Sequence, residues 1–431
     1  MHSISTIEPL FVDGETQAEI LLLADFLKFT AKYQGRVCAE KVLLASVICF
    51  TETYLATTDV HSLVAPFDSE ARKSVLSSYF LALSTLESKL PPEEVPRSPP
   101  SALLSAAAKG QASIFGLFGG QGTNEIYFDE LRNLHEIYRP YVAPLIEAVS
   151  NDLLNPLSIK AEADGSSFYS YGLDVVSWLN GSAPVPPIEY LASIPVSFPL
   201  IGLTQLVQYL AACCSSNLTP GEMRKLLQGA TGHSQGIVSA VAIAASDSFE
   251  SFTENATKAL RWLFFCGLRG QEAFPVLAID PQLVKDSVGG GEGVPSPMLG
   301  VTGLALDVLE KHITSTNKYL ATNSRMAISL YNGPKAFVVT GPARSLHGLV
   351  TSLRKIRAPA GLDQSKTPFS QRKAVFSVRF LTVGVPYHSQ YLEGVTEKVT
   401  TLDLEGMELW KPEDLRIPIY HTEDGLSFHD S

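Results

Sequence analysis

Residues 232–236 read GHSQG, so one serine lies between two glycines. In a GxSxG turn the glycines permit a sharp strand-to-helix bend that exposes the serine oxygen. The backbone N–H of the residue after the serine then points at an oxyanion forming on the substrate. We interpret Ser234 as a nucleophile and the backbone of Gln235 as an oxyanion donor. The alternative is a glycine turn that carries a surface serine.

A nucleophilic serine needs a base, and the chain has nine histidines. His388 is the candidate because it follows a predicted strand, and catalytic groups are often displayed in such loops. An ordinary loop histidine is the alternative. No aspartate between Ser234 and His388 has a triad signature.

A second glycine turn, GGQG at residues 119–122, follows a short apolar run. It has neither the GK[ST] ending of a phosphate loop nor GxGxxG spacing, so nucleotide binding is not expected. The turn could supply a second backbone N–H, from Gln121, or could be a plain strand–helix connection. The histidines lack metal-ligand spacing, and the five cysteines contain no CxxC pair, so we predict no zinc site and no disulfide framework.

The chain has 431 residues, 45% of them hydrophobic, and a formal charge of −11. This composition excludes a disordered chain and disfavours binding to nucleic acid or anionic membranes. The uncharged stretch 190–221 is interrupted by proline and glutamine, which favours a buried core helix preceded by a loop over a membrane span. The cysteine usage and the absence of a signal-peptide pattern at the N-terminus predict a cytoplasmic protein.

The apolar periodicity predicts a helical N-terminal region, residues 1–95, that ends in a proline-rich crossing. Strand, glycine turn and helix then occur twice, which is typical of an α/β fold with a parallel sheet resembling that of α/β-hydrolases. We assign this core to residues 110–296 and 381–431. Residues 297–380 have the order βαββαβ and are predicted to form an inserted ferredoxin-like subdomain.

Two further features are expected to be structural. Three glycines at 289–291 predict a flexible loop. Arg354, Lys355 and Arg357 fall at the end of a predicted helix, where positive charge suits the helix dipole. We expect these three side chains to be solvated, with an anion site as the alternative.

Three motifs, FGGQG at 118–122, GHSQG at 232–236 and PYHS at 386–389, occur in the order of the malonyl/acyl-carrier-protein transacylase fold. Longer stretches resemble the acetyltransferase domain of the fungal-type fatty acid synthase β subunit. They are SFPLIG at 197–202, LTPGE at 218–222, GATGHSQG at 229–236, EGVPSPML at 292–299 and APAGLDQS at 358–365. The resemblance covers nearly the whole chain, including the helical N-terminal region.

The resemblance implies a role for each matching residue. Ser234 would be the acyl nucleophile and His388 its general base, with the backbone N–H groups of Gln121 and Gln235 forming the oxyanion hole. In this family a backbone carbonyl, not an aspartate, usually orients the histidine.

The same resemblance implies which residues surround the acyl group. His233 and Asn332 would lie beside the substrate. Malonyl-type relatives have an arginine at the position matched by Cys266, so a small neutral residue there suits acetyl or another short neutral acyl group. Arg269, three residues further on, is expected to be structural.

The implied reaction is acyl transfer from acetyl-CoA to the phosphopantetheine thiol of an acyl carrier protein, with no permanently bound cofactor. The carrier would belong to a synthase α subunit in a hetero-oligomer that serves fatty acid synthesis or supplies a secondary-metabolite starter. In the family the domain continues past the position of residue 431, which suggests a truncated gene product, a split subunit or a fragment. A GxSxG thioesterase remains an alternative. So does a non-catalytic homologue whose helical region contacts a partner subunit.

Overall fold

The computed structural model describes residues 12–33, 39–122, 126–275, 278–359 and 361–429. The α-helices, in chain order, are α1 Gly14–Lys32, α2 Ala39–Tyr54, α3 Val60–Val64, α4 Ser69–Glu87, α5 Ala102–Ala108, α6 Tyr127–Val149, α7 Asn155–Ala163, α8 Val175–Asn180, α9 Ile188–Leu191, α10 Ile194–Ser215, α11 Pro220–Lys225, α12 Gly236–Ala244, α13 Phe249–Ala273, α14 Pro281–Gly289, α15 Leu306–Asn317, α16 Ala343–Arg354 and α17 Val395–Lys398. The strands are β1 Ile114–Phe118, β2 Leu227–Gly232, β3 Met298–Thr302, β4 Ala327–Gly333, β5 Ala336–Thr340, β6 Ser377–Phe380 and β7 Ile419–Tyr420.

The helical N-terminal region consists of α1 to α4, as the apolar periodicity predicts. Helices α1, α3 and α4 each begin after an aspartate whose carboxylate accepts hydrogen bonds from the first turn, which satisfies N–H groups that have no partner inside the helix. The region packs on α6, where the Tyr141 hydroxyl donates to Glu87 at 2.9 Å and His61 bonds Tyr138 at 2.9 Å. The proline-rich crossing therefore joins two parts that are in contact.

Helix α10 forms the centre of the fold, packed between α6 and α13. Among the described helices it is the one long and apolar enough, by length and composition, to cross a membrane. However, 83% of its most apolar stretch is buried inside the protein. Pro195 lies in its first turn, where the missing N–H costs nothing. The prediction of a buried core helix in this uncharged stretch is confirmed.

A parallel sheet with the order β1-β2-β7 carries both glycine turns. Phe118 at the end of β1 is in register with Gly232 at the end of β2, so the two turns begin side by side at one edge of the sheet. Among the described strands β1 and β7 are the outer ones of this sheet, and the Leu117 side chain of β1 is exposed. The predicted strand–turn–helix arrangement is confirmed at both places.

A second, antiparallel sheet has the order β4-β5-β3-β6, and α15 and α16 pack against each other beside it. This is the βαββαβ arrangement expected for residues 297–380, and the strands lie within a few residues of the predicted runs. The predicted division of the chain into domains stays a prediction.

The end of α16 differs from its prediction. Arg354 and Arg357 both bind Glu292, whose side chain has no exposed surface, and an Arg354 Nη2–Glu292 Oε2 distance of 2.6 Å shows a direct ion pair. The expectation that these two arginines are solvated is therefore wrong, because a buried carboxylate needs paired charge. Gly290, in the predicted flexible loop, packs against this pair, and a Cβ there would lie 2.2 Å from a Glu292 oxygen.

Candidate active site

The serine turn lies between the end of β2 and the start of α12. Ser234 has a φ of +53°, the left-handed conformation that non-glycine residues rarely adopt. The flanking glycines are required by close approach: a Cβ on Gly232 would lie 2.1 Å from the Ile237 nitrogen, and one on Gly236 would lie 2.4 Å from the Phe118 oxygen. The turn therefore pushes the Ser234 side chain outward while its backbone lies against β1.

His388, which lies 154 positions later in the sequence, forms a hydrogen bond with this serine: Ser234 Oγ and His388 Nε2 are 2.8 Å apart. Burial, and then the neighbouring His233, lower the pKa of His388 below its ordinary value. The imidazole is thus neutral at neutral pH and can accept the serine proton. Tyr387, partly buried, stacks on Phe198 with ring centroids 5.0 Å apart, which anchors the residue next to the histidine.

No carboxylate of the described residues bonds or pairs with the His388 ring. The sequence likewise has no aspartate with a triad signature between Ser234 and His388. In the described part of the chain no carbonyl oxygen bonds the ring either, so a carbonyl partner for His388 stays a prediction.

The two candidate oxyanion residues lie together. Among the described residues, neither the Gln121 N–H nor the Gln235 N–H donates to another backbone group, which leaves both able to bind a substrate oxygen. Their side chains bond each other, Gln121 Nε2 to Gln235 Oε1 at 2.7 Å. Gly120 lies directly against the serine turn, because a Cβ there would be 2.8 Å from the His233 oxygen.

His233 and Asn332 are also brought to the site. His233 Nε2 lies 3.3 Å from Asn332 Oδ1, and Asn332 belongs to β4 of the antiparallel sheet. The ferredoxin-like unit therefore contacts the serine turn directly and forms one side of the site.

Cys266 lies behind the site on α13. Burial, and then the Asp403 carboxylate, raise the pKa of its thiol far above the usual range, so it is neutral. A Cβ on Gly270, four residues after Cys266 on the same helix, would lie 2.9 Å from the Tyr387 hydroxyl, so this part of α13 packs against the residue next to His388. In the described chain no hydrogen bond joins Cys266 to Ser234 or His388.

Arg269 is fully engaged elsewhere. Its Nε and Nη2 bind Asp403 at 2.9 and 2.6 Å, and its Nη1 binds Glu272 at 2.8 Å. Two carboxylates already neutralise this guanidinium, as expected for a structural arginine.

Sequence reasoning missed three side chains that brace the glycine turns. Gln205 of α10 donates from Nε2 to the Gly119 oxygen at 2.7 Å and accepts from Ser239 Oγ at 2.7 Å. Ser197 donates to Gln121 Oε1 at 3.3 Å. A polar side chain within an uncharged helix was the one available signal, because a buried amide requires partners.

The arrangement of a half-buried serine, a neutral histidine and two open N–H groups is suited to acyl chemistry. Among the described residues no group of three or more histidine, cysteine, aspartate or glutamate side chains could hold a metal ion.

Residues 116–373 match the family model described as starter unit:ACP transacylase in aflatoxin biosynthesis. The chain belongs to this family. Residues 5–86 also match the N-terminal domain in fatty acid synthase subunit beta. The resemblance seen in the motifs is thereby confirmed, together with the helical region that precedes the acyltransferase.

Among curated relatives, fatty acid synthase subunit beta of Saccharomyces cerevisiae is 40% identical over 90% of this chain and 19% of its own length. Fatty acid synthase beta subunit TOXC of Cochliobolus carbonum is 38% identical over 90% of this chain and 18% of its own. Fatty acid synthase beta subunit aflB of Emericella nidulans is 34% identical over 86% and 17%. The chain thus spans about a fifth of the length of the relatives that it matches.

Two solved structures are similar at lower identity. MCAT from Streptococcus pneumoniae is 16% identical with a TM-score of 0.45, covering 73% of this chain and 77% of that one. A loading acyltransferase from the avermectin modular polyketide synthase is 18% identical with a TM-score of 0.42, covering 73% and 74%.

Proposed function

We propose that this chain transfers a short neutral acyl group, acetyl first, from coenzyme A to the phosphopantetheine thiol of an acyl carrier protein. The observation that carries the proposal is the 2.8 Å hydrogen bond between Ser234 Oγ and His388 Nε2, made from a left-handed serine turn. Family membership supports the acyltransferase class.

In the first half-reaction, His388 Nε2 takes the proton from Ser234 as Oγ attacks the thioester carbonyl. Negative charge develops on the carbonyl oxygen, and the N–H groups of Gln121 and Gln235 stabilise it. Loss of one such donor costs about 10²–10³ in rate. The tetrahedral intermediate then expels the CoA thiolate, which takes the proton from His388, and acyl-Ser234 remains.

In the second half-reaction, the carrier thiol gives its proton to His388 and attacks the acyl-serine. The intermediate collapses, Ser234 leaves as alkoxide, and His388 returns the proton to Oγ. The acyl group must reach the thiol before water does, because hydrolysis of the same ester would make the protein a thioesterase.

The choice of a neutral acyl group is supported by the charges behind the site. Cys266 is a buried neutral thiol, and Arg269 is held by Asp403 and Glu272. Neither of these two described residues offers a free cation to a malonyl carboxylate, and an unpaired carboxylate buried here would cost several kcal/mol. Acetyl and other short neutral groups avoid that cost.

The partners follow from the same proposal. The substrates are an acyl-CoA and an acyl carrier protein, with no permanently bound cofactor, and the family description names transfer of a starter unit to ACP. We propose that the carrier belongs to a synthase α subunit and that the two subunits form a hetero-oligomer in the cytoplasm. The acylated carrier would then be used for fatty acid synthesis or to make the starter unit of a secondary metabolite.

The test is to incubate the protein with radiolabelled acetyl-CoA or malonyl-CoA and map the label by peptide mass spectrometry. Acetyl label on Ser234, absent in Ser234→Ala and discharged by a carrier protein, is the expected result. Preferential malonyl labelling would overturn the neutral-acyl assignment. Rapid release of free acetate without a carrier would identify a hydrolase, and no label at all would support a non-catalytic role.

A further inference from the structure

Three side chains connect the two glycine turns to helix α10. Ser197 Oγ donates to Gln121 Oε1, Gln121 Nε2 donates to Gln235 Oε1, and Gln235 Nε2 donates to the Phe198 oxygen, at 3.3, 2.7 and 3.2 Å. We call this chain of hydrogen bonds from Ser197 through Gln121 and Gln235 to Phe198 the amide bridge. It begins and ends on consecutive residues of α10, so the helix closes it into a ring.

The amide bridge needs glutamine at both positions, because each side chain must accept with its oxygen and donate with its nitrogen. The Gln235 side chain is buried, with 3% of the residue exposed. A buried amide that loses its partner pays for desolvation without compensation, so the bonds fix the side chains in one arrangement. Leucine fills a similar volume but can make none of these bonds.

The same two residues supply the two backbone N–H groups of the candidate oxyanion hole. Those groups belong to loops that are 114 positions apart in sequence, and the Gln121–Gln235 bond joins the loops. We propose that the side chains of Gln121 and Gln235 are positioning residues: their mutual hydrogen bond sets the separation of the two oxyanion N–H donors. The inference rests on the proposed acyl transfer.

A second brace holds the other end of the same loop. Gln205 binds the Gly119 oxygen and is itself held by Ser239 of α12. The loop from Gly119 to Gln121 is therefore anchored to α10 at both ends. With Gly119 fixed, the amide bridge determines where the Gln121 N–H lies relative to the serine turn.

The experiment compares Gln121→Leu, Gln235→Leu and the double variant with the wild type in single-turnover acylation of Ser234 by acetyl-CoA. Each single variant is expected to acylate about 10- to 100-fold more slowly at saturating acetyl-CoA, with little change in half-saturation, because a displaced donor costs less than a deleted one. The double variant should be no slower than the slower single variant, since both remove one bond. Gln271→Leu is the matched control, because Gln271 is about equally buried and donates to the Phe274 oxygen rather than to either glycine turn.

Alkylation of His388 by iodoacetamide, followed by mass spectrometry, is a second readout. This displacement forms no oxyanion, so its rate should stay within about twofold of wild type in all variants. A parallel fall in alkylation and acylation would show general distortion of the site and would overturn the inference. Acylation within twofold of wild type in either single variant, or a multiplicative loss in the double, would also overturn it.

Misfolding of one variant, or failure of the proposed function, can each be told apart from failure of the amide-bridge inference. If Gln235→Leu does not fold, Gln121→Leu decides, because its side chain is only half-buried. Failure of the proposed function itself is recognised separately in the wild type, which would then either not be acylated or release free acetate without a carrier.

Discussion

Ser234 Oγ and His388 Nε2 are joined by a hydrogen bond of 2.8 Å, and both residues have left-handed backbones, with φ of +53° and +58°. Among the described residues Asn217 is the one other non-glycine residue with positive φ, and asparagine tolerates that region well. Strain therefore lies at both ends of one hydrogen bond. The surrounding fold holds the pair in place against the local backbone preference.

The strain at Ser234 can be measured by replacing the serine. Ser234→Ala and Ser234→Gly both remove the nucleophile, so neither should form acyl-enzyme. Glycine adopts positive φ freely, so we expect Ser234→Gly to be more stable than Ser234→Ala by about 1 kcal/mol. Thermal or urea unfolding measures the difference.

Ser239 provides the control for this comparison, because it lies inside α12 with ordinary helical geometry. There glycine should be less stable than alanine by about 1 kcal/mol, the reverse order. If alanine is also the more stable replacement at Ser234, the serine turn is not strained.

The acid limb of the pH–rate profile should have its midpoint below 6.5, the ordinary pKa of histidine. Burial and the neighbouring His233 both disfavour a charged His388, so its pKa is lowered from 6.5. A base with a lowered pKa stays neutral and active to lower pH, and kcat/KM for acylation reports that pKa in the free protein. The expected midpoint is below 6.5.

His233→Gln removes one of the two causes, so the midpoint of that variant should move upward, toward 6.5. The free energy of unfolding should depend on pH in the same direction, because folding disfavours the charged imidazole. The stability that a neutral His388 contributes is present above pH 6.5 and is lost as the pH falls through the lowered pKa. A wild-type midpoint above 6.5 would contradict the lowered pKa of this base.

Gly120 tests the contact between the two turns. A Cβ at Gly120 would lie 2.8 Å from the His233 oxygen and 3.2 Å from Ser234 Cβ, whereas one at Gly119 would meet nothing within 4 Å. We expect Gly120→Ala to slow Ser234 acylation at least about 100-fold, because small displacements of reacting groups cost that much. Gly119→Ala, the matched control, should stay within about threefold. Equal rates for the two variants would show that the turns do not need this close approach.

Much of this architecture could be predicted because the signals are local. Glycines flank Ser234, apolar runs mark β1 and β2, and the alternation of elements over 297–380 predicts the second sheet. Pairing His388 with Ser234 rested on the family resemblance, because its position after a predicted strand left an ordinary loop histidine as the alternative.

The amide bridge and the pairing of Arg354 with Glu292 could not be predicted, because both depend on which side chains meet across the core. Glutamines in glycine turns and arginines at a helix end suggest solvent-facing groups when only local sequence is considered. Tertiary contact turns them into buried partners, and no periodicity in the chain encodes such contact.

The buried carboxylate of Glu292 joins α16 to the loop after α14 through Arg354 and Arg357. Burial alone would raise the pKa of Glu292, but hydrogen bonds from Arg354 and Arg357 outweigh it and lower the pKa below 4.5. Glu292→Gln leaves two arginines without their shared anion, and we expect a loss of about 3 kcal/mol in the free energy of unfolding. Urea denaturation at neutral pH measures it.

Glu310→Gln is the control, because Glu310 is an exposed carboxylate on α15 of the same subdomain, and its loss should change stability by less than about 0.5 kcal/mol. The contribution of Glu292 is present above 4.5 and is lost as the pH falls through its lowered pKa, since protonation breaks both ion pairs. Wild type should therefore lose more stability than Glu292→Gln on acidification below 4.5, and the two stabilities should converge. Parallel curves would show that the carboxylate charge contributes nothing, and that the two arginines are held by packing alone.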